Sequence, residues 1–305
     1  MDAEWHVTVG SWFIGKGIVT ESEGDQPGCL AALREEVLDM GFRPLVYGNI
    51  KGFYNPDPTL EDMIFWSKKQ GISLPMVTAA TDGTKIQFEQ ALVANGLGAE
   101  MIKDGFTAEP AQDISSRALE LAREAKRLGS PVSDYVISAD STSRVFIVGE
   151  HQPEQRNALK YLKLGTGPFY VLLHNTMLCH LEIAKTVRRV MRGEAELLNN
   201  SAVPRLSVAA VAKKPLRAGD KISQAFGSFE ARGKAVRIRE NYGHVPMGLL
   251  NEAVIKREIE PGQMICFDNV EMPENTALTI WREIESAARA RVPSEQKERN
   301  HVRTS

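Results

Sequence analysis

Apolar positions in the first hundred residues change their period several times, and each change predicts an element. Residues 17–21 form a short β-branched run. Leu30, Leu33, Val37 and Met40 then recur at helical spacing. Asp25 stands as an N-cap before them, Pro27 suits the first turn, and Gly41 closes the helix. A strand around Leu45 and Val46 follows, so residues 17–52 read as a β-α-β unit. Thr59, with Asp62 three residues on, opens a second helix that ends at Gly71. The apolar run 76–80 reads as another strand, and a helix covers 84–95. Such alternation predicts an α/β layer with largely parallel strands.

The middle of the chain is less regular. Residues 112–128 predict a charged, outward-facing helix, while 135–138, 145–148 and 169–173 predict strands. Residues 176–192 predict a helix carrying His180 and Glu182. From Pro204 the texture changes to short β runs (207–212, 235–238 and 264–267) broken by glycine, proline and charge. The expected organisation is an α/β (α+β) catalytic domain over 1–203, a small β-rich domain over 204–288, and a disordered polar tail over 289–305.

At 305 residues the chain suits one large or two moderate domains, and 43% apolar with 25% charged residues is ordinary globular composition. A formal net charge of −2 argues against nucleic acid or an anionic membrane as partner. No run reaches transmembrane length and no leader pattern opens the chain, so a cytoplasmic location is expected. Cys29, Cys179 and Cys266 are odd in number and far apart, which fits reduced thiols and no zinc site. Neither a Gly-x-Gly-x-x-Gly dinucleotide turn nor a phosphate loop is present.

The chemistry concentrates in two lysine loops, Asn49-Ile50-Lys51-Gly52 and Asp82-Gly83-Thr84-Lys85, each read as following a strand. Strand ends are where α/β enzymes gather polar site groups. Lys51 and Lys85 can clamp an anion or carbonyl, act as acid and base, or simply carry surface charge. Asp82 can orient Lys85, hold a divalent ion, act as a base, or simply belong to an Asp-Gly turn. Glu89 stands four residues after Lys85 on one helix face. Lys51, Asp82, Lys85 and His174 are the catalytic candidates. Asp25, Gln26, Asn49, Thr84, Glu89, Tyr170 and His180 are the substrate-binding ones. His174 and His180 read equally as core or surface histidines, and Tyr170 as a core aromatic. Trp5, Trp12 and Phe13 can cover an exposed face or form a dimer contact.

Gly24-Asp25-Gln26-Pro27-Gly28, Gly48-Asn49-Ile50-Lys51-Gly52 and Asp82-Gly83-Thr84-Lys85 resemble, in order and spacing, the homoserine-dehydrogenase-like oxidoreductases. That family includes the 1-deoxy-D-xylulose 5-phosphate reductoisomerase-like enzymes. Residues 208–270 resemble its C-terminal SAF (β-clip) domain through Ala218-Gly219-Asp220, Pro246-Met247-Gly248-Leu249 and Ile259-Glu260-Pro261-Gly262. The family's N-terminal NAD(P)-binding domain has no counterpart here beyond His6-Val7-Thr8-Val9-Gly10. A family histidine expected at Met177 is also missing.

The resemblance implies a kept substrate pocket and a lost redox half. The expected function is cofactor-independent isomerisation, aldol or retro-aldol cleavage, elimination or cyclisation of a small hydroxy, keto or phosphorylated metabolite. An enolate-like intermediate would be stabilised by Lys51 and Lys85, without a resident cofactor, though a divalent metal remains open. One alternative is an NAD(P)H oxidoreductase whose nucleotide domain comes from a partner chain. The other is a non-catalytic SAF binding protein. A homodimer or higher homo-oligomer is the expected assembly.

Overall fold

A computed structural model of the chain describes residues 2–139 and 144–290. Its centre is a five-stranded sheet of order β2-β3-β1-β4-β5, built from β1 (Arg43–Lys51), β2 (Glu109–Pro110), β3 (Val132–Ile137), β4 (Arg144–Glu150) and β5 (Phe169–His174). β1 pairs with β3 in parallel and with β4 antiparallel, and β4–β5 is antiparallel too. The expectation of largely parallel strands therefore holds for only one half of the sheet. Residues 144–150 and 169–174 pair antiparallel although the connection between them, which includes a short helix, is long enough for a parallel crossover.

β1 is the central strand and is buried on both faces. A register shift between Pro44 and Val46 lets successive Leu45 and Val46 reach the same core. On that side lies α7 (Ile114–Leu128), whose Ala118, Leu121, Ala122 and Ala125 keep helical spacing towards the sheet. Asp113 caps it by accepting from the backbone N–H of Ser115 and Ser116, each at 3.1 Å, and Gly129 ends it in the left-handed region. The opposite face holds α3 (Gln26–Asp39) and α6 (Thr84–Leu97).

Several expected elements are different. Residues 17–21 form no strand, so the β-α-β unit reduces to α3 and β1. The run 76–80 lies within a helix, α5 (Leu74–Thr81), which Pro75 starts at its first turn. A short apolar run cannot be assigned to strand or buried helix by period alone, and here the small Ala79 and Ala80 suit tight packing beside α6. The second lysine loop thus joins two helices. α4 (Leu60–Gln70) precedes α5, with Thr59 accepting from Asp62 N and Gly71 as a left-handed C-cap. The predicted helix 176–192 shortens to a 3₁₀ turn, Cys179–Leu181, and α9 (Ile183–Met191). α8 (Arg156–Tyr161) lies between β4 and β5.

Beyond residue 204 the strands form sheets of their own. β6 (Leu206–Ala212) and β8 (Ala231–Arg237) pair antiparallel, while β7 (Lys221–Ile222), β9 (Ala253–Ile255) and β10 (Val270–Glu271) make a second small sheet. Residues 264–267 contribute bridges rather than a ladder. One continuous apolar core runs from these strands into α3 and α6. α10 (Thr276–Ala290) closes over it through fully buried Trp281. The N-terminal segment is helical, with α1 (Asp2–Trp5) and α2 (Ser11–Phe13) joined by a π-helical turn, His6–Gly10. Within it Trp5 and Trp12 are partly exposed, and buried His6 contacts Glu21 at 2.5 Å. The tail expected from 289 lies, from 291 on, outside the described residues. No described helix is long and apolar enough to cross a membrane.

Candidate functional site

Three chain segments bring the lysine loops together. β1 ends at Lys51, and strand alternation puts Asn49 and Lys51 on the same face. α6 begins at Thr84, so Lys85 and Glu89 share one face a turn apart. α3 begins at Gln26, with Asp25 as its N-cap accepting from the Gln26 N–H at 2.9 Å. All three present their polar ends to a cleft of about 500 Å³.

Lys85 is held tightly. Its ammonium donates to Glu89 Oε1 in an ion pair and to Asp25 Oδ1 at 3.3 Å. The Gln26 amide satisfies these carboxylates best with its nitrogen facing them, donating to Asp25 and, at 3.1 Å, to Glu89 Oε1. Asn49 Nδ2 reaches Glu89 Oε2 at 3.5 Å. Burial alone would lower the Lys85 pKa, but Glu89 and Asp25 outweigh it and hold the group well above the ordinary lysine range. Burial raises the Glu89 carboxyl, and Lys85 opposes that only in part.

Lys51 is in the contrary situation. Its ammonium makes no hydrogen bond or ion pair with any described residue. Burial pushes its pKa below the ordinary range; the Glu89 charge pulls it up, and nearby Lys85 pushes it down again. The two lysines at one cleft thus differ: Lys85 is held as a cation, while Lys51 binds its proton less tightly than an ordinary lysine.

The other end of the cleft is apolar. Phe53, Trp66 and Ile72 form its rim and Met76, Val77 and Ile86 its wall. Sequence reading missed this contribution because it took 76–80 for a strand and gave α4 no role. A clue was present in the adjacent aromatic pair Phe65-Trp66 on a helix that begins with acidic and ends with basic residues.

Of the expected site residues, Gln26, Asn49, Lys51, Lys85 and Glu89 line the cleft, and Asp25 touches Lys85. The others are placed elsewhere. Asp82 is 1% exposed and pairs with Lys213 at 2.6 Å, so it orients neither cleft lysine. Thr84 is buried, its hydroxyl accepting from Gly233 N at 2.9 Å. Tyr170 is a core aromatic edge-on to Phe42. None of residues 174–180 lines the cleft: His174 ends β5 opposite Val145, and His180 is exposed in the 3₁₀ turn. His174 and its neighbours therefore take no part in the cleft, although Cys179 N donates to Gly24 O at 3.0 Å and so abuts the loop carrying Asp25. Lys213 itself carries no sequence signal, being one of two adjacent lysines after a strand.

Among the described residues no group of three or more His, Cys, Asp or Glu could hold a metal ion.

Lysines, carboxylates and amides converging beside the end of a central strand mark an enzyme-type catalytic domain. The profile of the family described as oxidoreductase DRL, catalytic domain, matches residues 24–183, more than half the chain, and the chain belongs to that family. The matched segment contains every polar residue of the cleft. No curated protein sequence matches the chain significantly.

Proposed function

We propose that the chain acts on a small carbonyl- or hydroxyl-bearing compound in this cleft, moving a proton with Lys51 while Lys85 supplies fixed positive charge. The contrast between an unpartnered Lys51 and a doubly paired Lys85 carries the reading. As a neutral amine, Lys51 takes a proton from the carbon beside a carbonyl and becomes an ammonium, leaving an enolate that this ammonium and the Lys85 cation stabilise. Alternatively it takes the proton of a substrate hydroxyl, the proton half of an alcohol oxidation. General base catalysis of this kind contributes roughly 10²–10⁴-fold, and a preorganised cation facing an oxyanion about 10²–10³-fold.

Family membership favours the oxidoreductase class; isomerisation, aldol chemistry or elimination is the class open to these residues alone. The hydride half of an oxidation needs an acceptor such as a nicotinamide, and the described residues do not fit a nicotinamide. Both α3 and α6 open beside the cleft, but α3 opens on an Asp25–Pro27 cap and α6 follows another helix. Neither makes the glycine turn from strand to helix that cradles a pyrophosphate. Any nicotinamide would therefore be held by another domain or polypeptide. The strands from 206 on, with the glycine and proline turns between them, support a SAF-type module packed behind α6.

Titrating NADH and NADPH fluorescence with the chain alone tests the division of labour, with no binding expected at micromolar concentration. Once a substrate is identified, Lys51→Met should reduce turnover at least about a hundred-fold, and Lys68→Met on exposed α4 should leave it unchanged. Equal activity of the two variants would remove Lys51 from the mechanism.

A further inference from the structure

The cleft is far larger than its polar end requires. About 500 Å³ lies within the roughly 300–1,000 Å³ of sites that enclose drug-sized ligands. A three- or four-carbon metabolite held at Lys51 would leave most of the apolar wall wet. That wall grades from buried to exposed: Ile50, Val77 and Ile86 are 1%, 4% and 3% exposed, whereas Trp66, Ile72 and Phe53 are 39%, 42% and 63% exposed. α4 buries only Met63 of its own residues and so leaves Trp66 at the cleft rim.

The polar end has an electrostatic preference as well. Lys51 and Lys85 face Asp25 and Glu89, so with both lysines protonated the group is neutral when Glu89 is ionised and positive when Glu89 holds a proton. Lys51 is half-buried and its ammonium makes no hydrogen bond or ion pair with a described residue, which is costly, and an incoming carboxylate lowers that cost.

We propose that the ligand is an amphipathic carboxylate, its oxo-acid head at Lys51 and Asn49 and an unbranched apolar tail running along Met76 and Val77 to Trp66 and Ile72. This rests on the reading that the cleft at Lys51 is the substrate site, and it adds the substrate class. The head brings the carbonyl and the negative charge, while the tail covers apolar surface that the fold leaves in water.

Calorimetric titration of the full chain with the straight-chain series from 2-oxobutanoate to 2-oxooctanoate tests it, with tryptophan fluorescence as a second readout. Each added methylene should tighten binding about two- to fourfold, the range for partial to full burial of a methylene. Trp66 emission should change with the longer members. Trp66→Ala should flatten the series, with a loss that grows with chain length, and Met76→Ser, on α5, should flatten it independently of any disturbance of α4. Lys51→Met should weaken every member by the same factor. A series with no dependence on chain length overturns the amphipathic class. If 2-oxobutanoate still protects Lys51 from acetylation, the site reading survives that result. Chain-length-dependent binding unaffected by Lys51→Met overturns the placement of the head. Failure of every member to bind overturns the proposal altogether.

Discussion

The ammonium of Lys213, at the end of β6, lies 2.6 Å from the carboxylate of Asp82 between α5 and α6, and the two side chains are only 5% and 0% exposed. The pair joins the β-rich segment to the turn from which Lys85 projects. Asp82 Oδ1 also accepts from Thr84 N at 2.8 Å, and Lys213 donates to Ser228 O at 2.6 Å. Breaking such a pair leaves an uncompensated buried charge at a cost of about 3–5 kcal/mol. Asp82→Asn and Lys213→Met should each lower unfolding free energy by about 3 kcal/mol, and the double variant by much less than the sum. A loss below about 1 kcal/mol in either single variant, read by urea denaturation, would contradict the burial seen here.

The two cleft lysines should respond oppositely to the same substitution. Lys51→Met removes a desolvated, unpartnered cation and should raise stability by about 1 kcal/mol. Lys85→Met strands Glu89 and Asp25 and should lower it by about 2–3 kcal/mol. Lys68→Met should stay within about 0.5 kcal/mol of the parent. If both cleft variants destabilise equally, Lys51 has a partner that the geometry does not show.

A pH dependence follows from Lys51. Its folded-state pKa is lowered, so between that value and the ordinary lysine value of about 10.4 the unfolded chain binds more protons. Stability contributed by this group therefore rises with pH through that window, and the penalty is fully present below it. The advantage of Lys51→Met over the parent should be largest near neutrality and should shrink as pH rises towards 10. Parallel stability curves for the two proteins would refute the assignment.

Gly28 lets the loop before α3 lie against the first turn of that helix. A Cβ there would sit 1.8 Å from Ser22 O and 2.9 Å from Glu23 N, both backbone atoms. Gly28→Ala should cost about 2–3 kcal/mol through overpacking, and it should displace Asp25 from Lys85. A Gly28→Ala protein with unchanged thermal unfolding would show that the loop moves freely.

What was legible in the sequence was whatever local chemistry dictates. The Asp25 and Thr59 caps, the αL glycines Gly41 and Gly71, and the strands at 145–148 and 169–173 come from short-range preferences. Lys85 and Glu89 pair because helical spacing demands it. Residues 76–80 were not legible, because a short, mostly apolar run suits a strand and a buried helix alike until its neighbours are known. Asp82 misled for a related reason: its partner Lys213 is more than a hundred positions away, and no pattern in the chain announces that contact. Tyr170 and His174 belong to an edge strand whose position in the sheet decides their environment, and pairing order is a tertiary property.

The central claim is that Lys51 is a low-pKa amine open to the cleft, beside a Lys85 locked as a cation. Competitive acetylation across pH, quantified peptide by peptide, measures this directly. Lys51 should acetylate with a midpoint below that of Lys68, while Lys85 resists to the highest pH. Coincident midpoints for Lys51 and Lys68, or a Lys85 that acetylates as readily as either, would contradict it.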